Sequence, residues 1–151
     1  MAAFAMTLYG LQTDEEVAMQ AFFQGKRAVN RAAHAAAQQL DTDKLKEGIV
    51  SIDPLAAWEA AMAYLRANLH LDNANMPLPS SFWRSRADVL VFEVINEDTA
   101  FPYTYVNAAY DYTVTLEKPG VVLIVRLEYP RTYRVLGPIV WEIKGTAELT
   151  Y

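Results

Sequence analysis

Residues 110–129 read YDYTVTLEKPGVVLIVRLEY, and the fold class turns on them. Tyr112, Val114 and Leu116 alternate with Asp111, Thr113 and Thr115, the period-two pattern of a strand with one face on a core. Val121 to Tyr129 is strongly apolar and reads as a further strand. Between them Glu117-Lys118-Pro119-Gly120 has turn chemistry. Proline presets one dihedral and glycine accepts a positive one, so the spacing predicts a hairpin of these two strands. Asp88 to Ile95, rich in Val and Ile, and Ile139 to Leu149, with Gly145 as a bulge, complete an antiparallel sheet over 88–151.

Upstream the period changes. Val17, Ala21, Gly25, Val29, Ala32, Ala36 and Leu40 step by three and four residues, which keeps one stripe of mostly small side chains on one helical face. Alanines between Ala28 and Ala37 favour helix and allow close approach of a neighbour. Thr13-Asp14-Glu15-Glu16 fits a capping box, so a long helix either starts there or runs from Ala2. It extends to about Leu40, and residues 1–41 are its segment. Asp41 to Lys46 reads as a polar junction and Gly48 to Ile52 as a short strand. Asp53-Pro54 starts a second helix over 53–71, with Asp as cap and Pro in the first turn. Leu55, Trp58, Met62, Leu65 and Leu69 mark its buried face. Residues 72–86, with Asn73, Asn75, Pro77, Pro79, Ser80 and Ser81, predict an exposed loop. Helices first and antiparallel strands afterwards imply an α+β fold, with the long helix laid on one sheet face.

At 151 residues the chain is long enough for one domain with one core. Hydrophobic residues at 53% against 21% charged place it among globular rather than disordered chains. A net charge of −5 supplies no field to gather phosphate backbones, and nucleic acid is excluded as a partner. With Cys 0 there is no disulfide, thiolate nucleophile or cysteine metal site. Met1 to Leu11 is largely apolar but too short to span a bilayer and without the basic flank of a signal peptide.

Catalytic patterns are sparse. Ser51, Ser80, Ser81 and Ser85 sit in no nucleophile elbow. His34 and His70 have no carboxylate or second histidine at ligand spacing. Asp72-Asn73-Ala74-Asn75 reads as turn chemistry rather than a calcium loop, since Ala74 falls where an oxygen is needed. The six glycines are too scattered for a phosphate cradle, so no cofactor or metal is implied. Glu93, Glu117, Glu128, Glu142 and Glu148 read as solvent-facing strand carboxylates.

Two aromatic groups remain. Phe82-Trp83-Arg84 combines rings with a guanidinium, the types that pack locally or anchor a protein or membrane contact. Tyr103 and Tyr105, with Phe101, Tyr110 and Tyr112, form a tyrosine-rich hairpin that either packs across strands or offers a platform for a sugar. Phe82, Trp83, Arg84, Tyr103 and Tyr105 are thus the candidate interaction residues.

The order of features resembles a family. Arg27-Ala28-Val29-Asn30-Arg31-Ala32-Ala33-His34-Ala35-Ala36-Ala37, then Leu40-Asp41, Gly48-Ile49-Val50-Ser51-Ile52-Asp53 and Tyr64-Leu65-Arg66-Ala67-Asn68-Leu69, are similar to the membrane-proximal part of TadE/TadG-like pilus-assembly proteins and related pilin-like proteins of Gram-positive bacteria. The resemblance implies a non-enzymatic, extracytoplasmic domain that associates with other pilin-like or envelope proteins. It implies membrane attachment through an N-terminal anchor absent from this chain, hence about twenty apolar residues encoded upstream. A soluble small-ligand or glycan-binding domain using the tyrosine-rich hairpin is the alternative, and an enzyme with an unfamiliar site a third reading.

Overall fold

The computed structural model describes residues 2–129 and 137–150, with side chains from residue 15 onward. Helix α1 (Ala2–Ala37) is followed by the short α2 (Thr42–Lys46), α3 (Pro54–Leu69), and strands β1 (Asp88–Ile95), β2 (Tyr103–Asn107), β3 (Tyr112–Leu116), β4 (Gly120–Tyr129) and β5 (Ile139–Glu148). A single 3-10 turn, Ala108–Tyr110, joins β2 to β3. The fold is α+β, with every named strand pairing antiparallel.

Over its 36 residues α1 is about 54 Å long at ~1.5 Å per residue. It passes through Thr13 without a break, so the capping pattern marks no helix start; the Thr13 and Asp14 side chains, the apolar side chains before them and Tyr151 lie outside the described residues. Ala18, Ala21, Ala28, Val29, Ala32, Ala33, Ala36 and Ala37 are buried, and this stripe meets β4, β5 and α3. The small residues set how closely the helix lies on the sheet. A Cβ on Gly25 would come 2.7 Å from Ile143 Cδ1 and 2.8 Å from Leu127 Cδ1. One on Gly145 would come 2.9 Å from Val29 Cγ1 and 3.2 Å from the Val29 carbonyl oxygen. Gly145 is therefore no bulge. The β4–β5 register runs unbroken from Gly120↔Glu148 to Tyr129↔Ile139, and the irregularity falls in β1, between Val89 and Val91.

The helix stops at Ala37 rather than Leu40 because Leu40 bridges Ile52. Asp41 N–H donates to the Ser51 carbonyl at 2.9 Å and Asp53 N–H to the Gln39 carbonyl at 2.8 Å. The expected strand over 48–52 is thus one isolated bridge, and the Asn96 amide stands in for a further strand, accepting from Ile52 N–H at 2.8 Å and donating to its carbonyl at 2.9 Å. The polar junction is helix α2, capped by Asp41, whose carboxylate accepts from Asp43 and Lys44 N–H at 3.1 Å each.

In α3, Asp53 Oδ1 accepts from Leu55 and Ala56 N–H at 3.0 and 3.2 Å, as the Asp-Pro signal predicts. The buried face differs from expectation. Leu55 is 68% exposed and Trp58 39%, whereas Ala57 and Ala61 are fully buried with Met62, Leu65 and Leu69. Close contact with the small-residue stripe of α1 selects the alanines and turns the large residues outward. The chain leaves α3 through His70, at φ 55, whose N–H donates to the Arg66 carbonyl.

The three-stranded sheet has the order β1-β4-β5, and β2-β3 is a separate ribbon. The predicted β3–β4 hairpin does not form: residues 117–119 carry the chain from ribbon to sheet instead. Gly120 shows no positive φ; a Cβ there would meet the Ala147 carbonyl oxygen at 2.5 Å. One face of β4 presents Val121, Leu123, Val125, Leu127 and Tyr129 to the helices. On the other, Val122 joins Ile95, Tyr105 and Leu116 under the ribbon. Both faces of β4 are covered, which is why its sequence is continuously apolar.

Candidate interaction surfaces

The loop 72–86 is less exposed than its composition suggests. Asp72 Oδ1 accepts from Ala74 and Met76 N–H at 2.8 and 3.0 Å, and Asn75, 8% exposed, accepts from Arg66 Nε at 2.8 Å. Those oxygens belong to the turn. Buried Ser81 then donates to the Leu69 carbonyl at 2.7 Å and anchors the segment so that Trp83, 1% exposed, enters the core. Trp83 therefore offers no surface. Its ring meets Phe82 and Trp141 edge-on at 5.5 and 6.3 Å, and its indole N–H has no hydrogen-bond partner among the described residues. Arg84 folds back, donating to the Ser81 and Trp83 carbonyls at 2.6 and 3.1 Å. Phe82 stacks on Tyr129 at 5.9 Å and, 39% exposed, borders a shallow cleft of about 220 Å³ against Val17, Gln20, Ala21 and Gln24. Met19 and Phe23 lie exposed on the same stretch of α1.

The tyrosine ribbon turns its rings inward. Tyr105 is buried and Tyr103 half-buried, both in the cluster with Ile95, Leu116 and Val122, and Tyr105 Oη accepts from Asn107 Nδ2 at 3.1 Å. The exposed face carries Thr104 and Thr115, bonded to each other at 3.1 Å, and Val106. A sugar platform needs open ring faces, and Tyr105 has none.

A third surface lies between α1 and α3, an open groove of about 430 Å³ bordered by Asn30, Arg31, His34, Gln38 and Tyr64, with Ala35 and Gln39 completing it. Arg31 Nη1 donates to Asn68 Oδ1 at 2.9 Å, holding the guanidinium across the two helices. Gln38 closes one end: its Nε2 donates to the Glu148 carbonyl at 3.1 Å, and its Oε1 accepts from Thr150 N–H and Oγ1 at 3.2 and 2.9 Å. The sequence reading missed this groove. The available signal was Arg27, Arg31 and His34 at i, i+4 and i+7, one helical face.

Among the described residues no group of three or more His, Cys, Asp or Glu is placed to hold a metal ion. Glu93, Glu117 and Glu142 are exposed, and Glu128 and Glu148 half-buried; Glu148 Oε1 accepts from Glu117 N–H at 2.9 Å. The Lys44 ammonium, 2.8 Å from Glu97, holds that carboxyl below the ordinary glutamate range, and the same hydrogen bond raises Lys44. Lys26 donates to the Lys144 carbonyl, and partial burial, with the Lys144 charge, lowers its pKa. Among the described residues no helix is long and apolar enough to cross a membrane. Set against known protein families, characterised proteins and solved structures, the chain matches none of them.

Proposed function

We propose that this domain is a pilin-like or pilus-assembly accessory module of the cell envelope, extracytoplasmic and without catalysis, that works by protein–protein association. The observation that carries the reading is the exposed apolar stretch of α1. Met19 is 56% and Phe23 53% exposed, four residues apart and so neighbours on one face of the helix. Large apolar side chains left exposed together mark contact sites. Towards its start the same helix carries no charged residue from Ala2 to Thr13, so the apolar character runs on along the rod. A long helix of which one part docks on a small antiparallel sheet suits a subunit that joins neighbours through the rest of the helix.

The absence of cysteine makes the test direct. Met19→Cys and Phe23→Cys, expressed in the native host and labelled with a photo-crosslinker, are expected to join the chain to other envelope or pilus-assembly proteins, with Thr104→Cys on the ribbon as the silent control. Recovery of the chain in the cytosolic fraction, with no adduct from either helix position, overturns the reading.

A further inference from the structure

The groove between α1 and α3 has a chemistry of its own, separate from the apolar stretch near Phe23. From Val17 to Leu40 the chain contains no aspartate or glutamate, while Lys26, Arg27, Arg31 and His34 fall within it. Arg27, Arg31 and His34 are all exposed. In a protein of net charge −5 this helical face is a local positive strip, and among the described residues no Asp or Glu borders the groove. Its remaining wall is apolar in character: the Tyr64 ring, 51% exposed, stands across from Ala35, with side-chain amides at the margins. Gln38 and Gln39 each spend one amide hydrogen on the Glu148 and Ala35 carbonyls, which fixes the two amides as the margin of the groove. Arg31 uses one guanidinium nitrogen on Asn68. A guanidinium carries five N–H donors, which leaves it able to take a carboxylate while fixed in place.

We infer that this groove docks an acidic polypeptide segment of a partner protein, which inserts an apolar side chain beside Tyr64 and sets its carboxylates against Arg31 and His34. Charge complementarity selects the occupant. A basic segment would meet like charges, and an uncharged one would leave the strip unused. The half-open shape suits an amphipathic segment laid along two helices. The inference stands on the groove's composition and holds whichever process the domain serves.

The probe is a short fluorescein-labelled peptide with glutamates flanking a central Leu-Phe pair, followed by fluorescence anisotropy with the whole chain. Saturable binding, weakened by added sodium chloride, is expected. Arg31→Glu is expected to weaken it about tenfold or more, and Tyr64→Ser to weaken it while retaining its salt dependence. Lys46→Glu makes the same change of charge on α2, where the side chain is 79% exposed, and is expected to leave binding unchanged; circular dichroism melts verify that each variant folds. Equal binding of polyglutamate lacking the Leu-Phe pair, or equal weakening by Lys46→Glu, would reduce the effect to bulk charge and overturn the proposal. So would absence of binding, or a concentration-dependent self-association reversed by Arg31→Glu, which would make the occupant a second copy. Because the groove and the Phe23 stretch are tested by different variants, either reading can fail alone.

Discussion

At the scale of single residues, the most informative side chain is Trp83. It fills the junction of α1, β5 and the loop 72–86, yet its indole N–H is buried without a partner among the described residues, a group whose desolvation costs about 1–3 kcal/mol. Trp83→Phe keeps a ring against Phe82 and Trp141 and removes the orphan donor, so the lost volume and the relieved desolvation oppose each other. Chemical denaturation is expected to place Trp83→Phe within about 1 kcal/mol of the native chain, and Trp83→Ala about 3–5 kcal/mol below it. Similar losses for both would show that the retained ring contributes little and that the indole N–H makes a bond the native chain depends on, which would overturn the orphan-donor account. The Lys44–Glu97 pair makes a second residue-scale case. Glu97 is lowered in the folded chain, so its contribution is present above its unfolded pKa and fades as pH falls through the folded value. Lys44 is raised, so its contribution is present below its unfolded pKa and fades as pH rises through the folded value. The pair therefore acts across neutral pH and loosens at both extremes, with a small effect because both side chains are well exposed. An NMR titration is expected to find the Glu97 midpoint below the ordinary glutamate range, and Lys44→Ala to raise it toward that range.

At the scale of elements, caps and close contacts decide where helices start and how they dock. Asp53 satisfies two N–H groups at the start of α3, and Asp53→Ala is expected to cost about 1 kcal/mol by urea denaturation. Docking is stricter. At Gly145 the added methyl meets a β-branched side chain and helix backbone, neither of which can swing aside. At Gly25 it meets the tips of Ile143 and Leu127, and alanine gains about 1 kcal/mol of helix propensity there. Gly145→Ala is thus expected to lose about 1–3 kcal/mol, clearly more than Gly25→Ala; equal losses would mean that the helix does not lie on β5 as described. These cases also show what could be read from the chain. The Asp53-Pro54 start, the small stripe of α1 and the period-two strands were legible because each is local. The partner of β3 was not, since Pro119 and Gly120 have turn chemistry whichever strand follows. What decides is Leu116, which must join Ile95 and Val122 in a cluster set by distant residues. The exposure of Leu55 and Trp58 was hidden for the same reason: only contact with α1 makes alanine the inward residue. Of the candidate site, Phe82 and Arg84 lie at the surface, whereas burial of Trp83 and Tyr105 depends on tertiary contacts that composition does not encode.

At the scale of the whole molecule, the sheet is covered unequally, and that sets an order of local stability. The helices hold one face through the large cluster running from Ala18 to Leu149. Among the described residues the ribbon β2-β3 forms no strand ladder with either edge of the main sheet and rests on the smaller cluster of Ile95, Tyr105, Leu116 and Val122, with one side-chain bond to β5, the Tyr112 hydroxyl 2.5 Å from Thr146 Oγ1. A layer held by few buried contacts opens at lower free energy than the core beneath it. Native-state hydrogen exchange is therefore expected to find the slowest amides in β4, between its two neighbours, and faster exchange in β2 and β3 through an opening that leaves β4 closed. Tyr112→Phe removes one hydroxyl contact, worth about 0.5–1.5 kcal/mol, and so is expected to speed ribbon exchange by up to about tenfold while β4 amides are unchanged. Should ribbon and β4 amides share one opening energy, and shift together in Tyr112→Phe, the ribbon would be an integral part of the core and the division into two clusters would carry no energetic meaning.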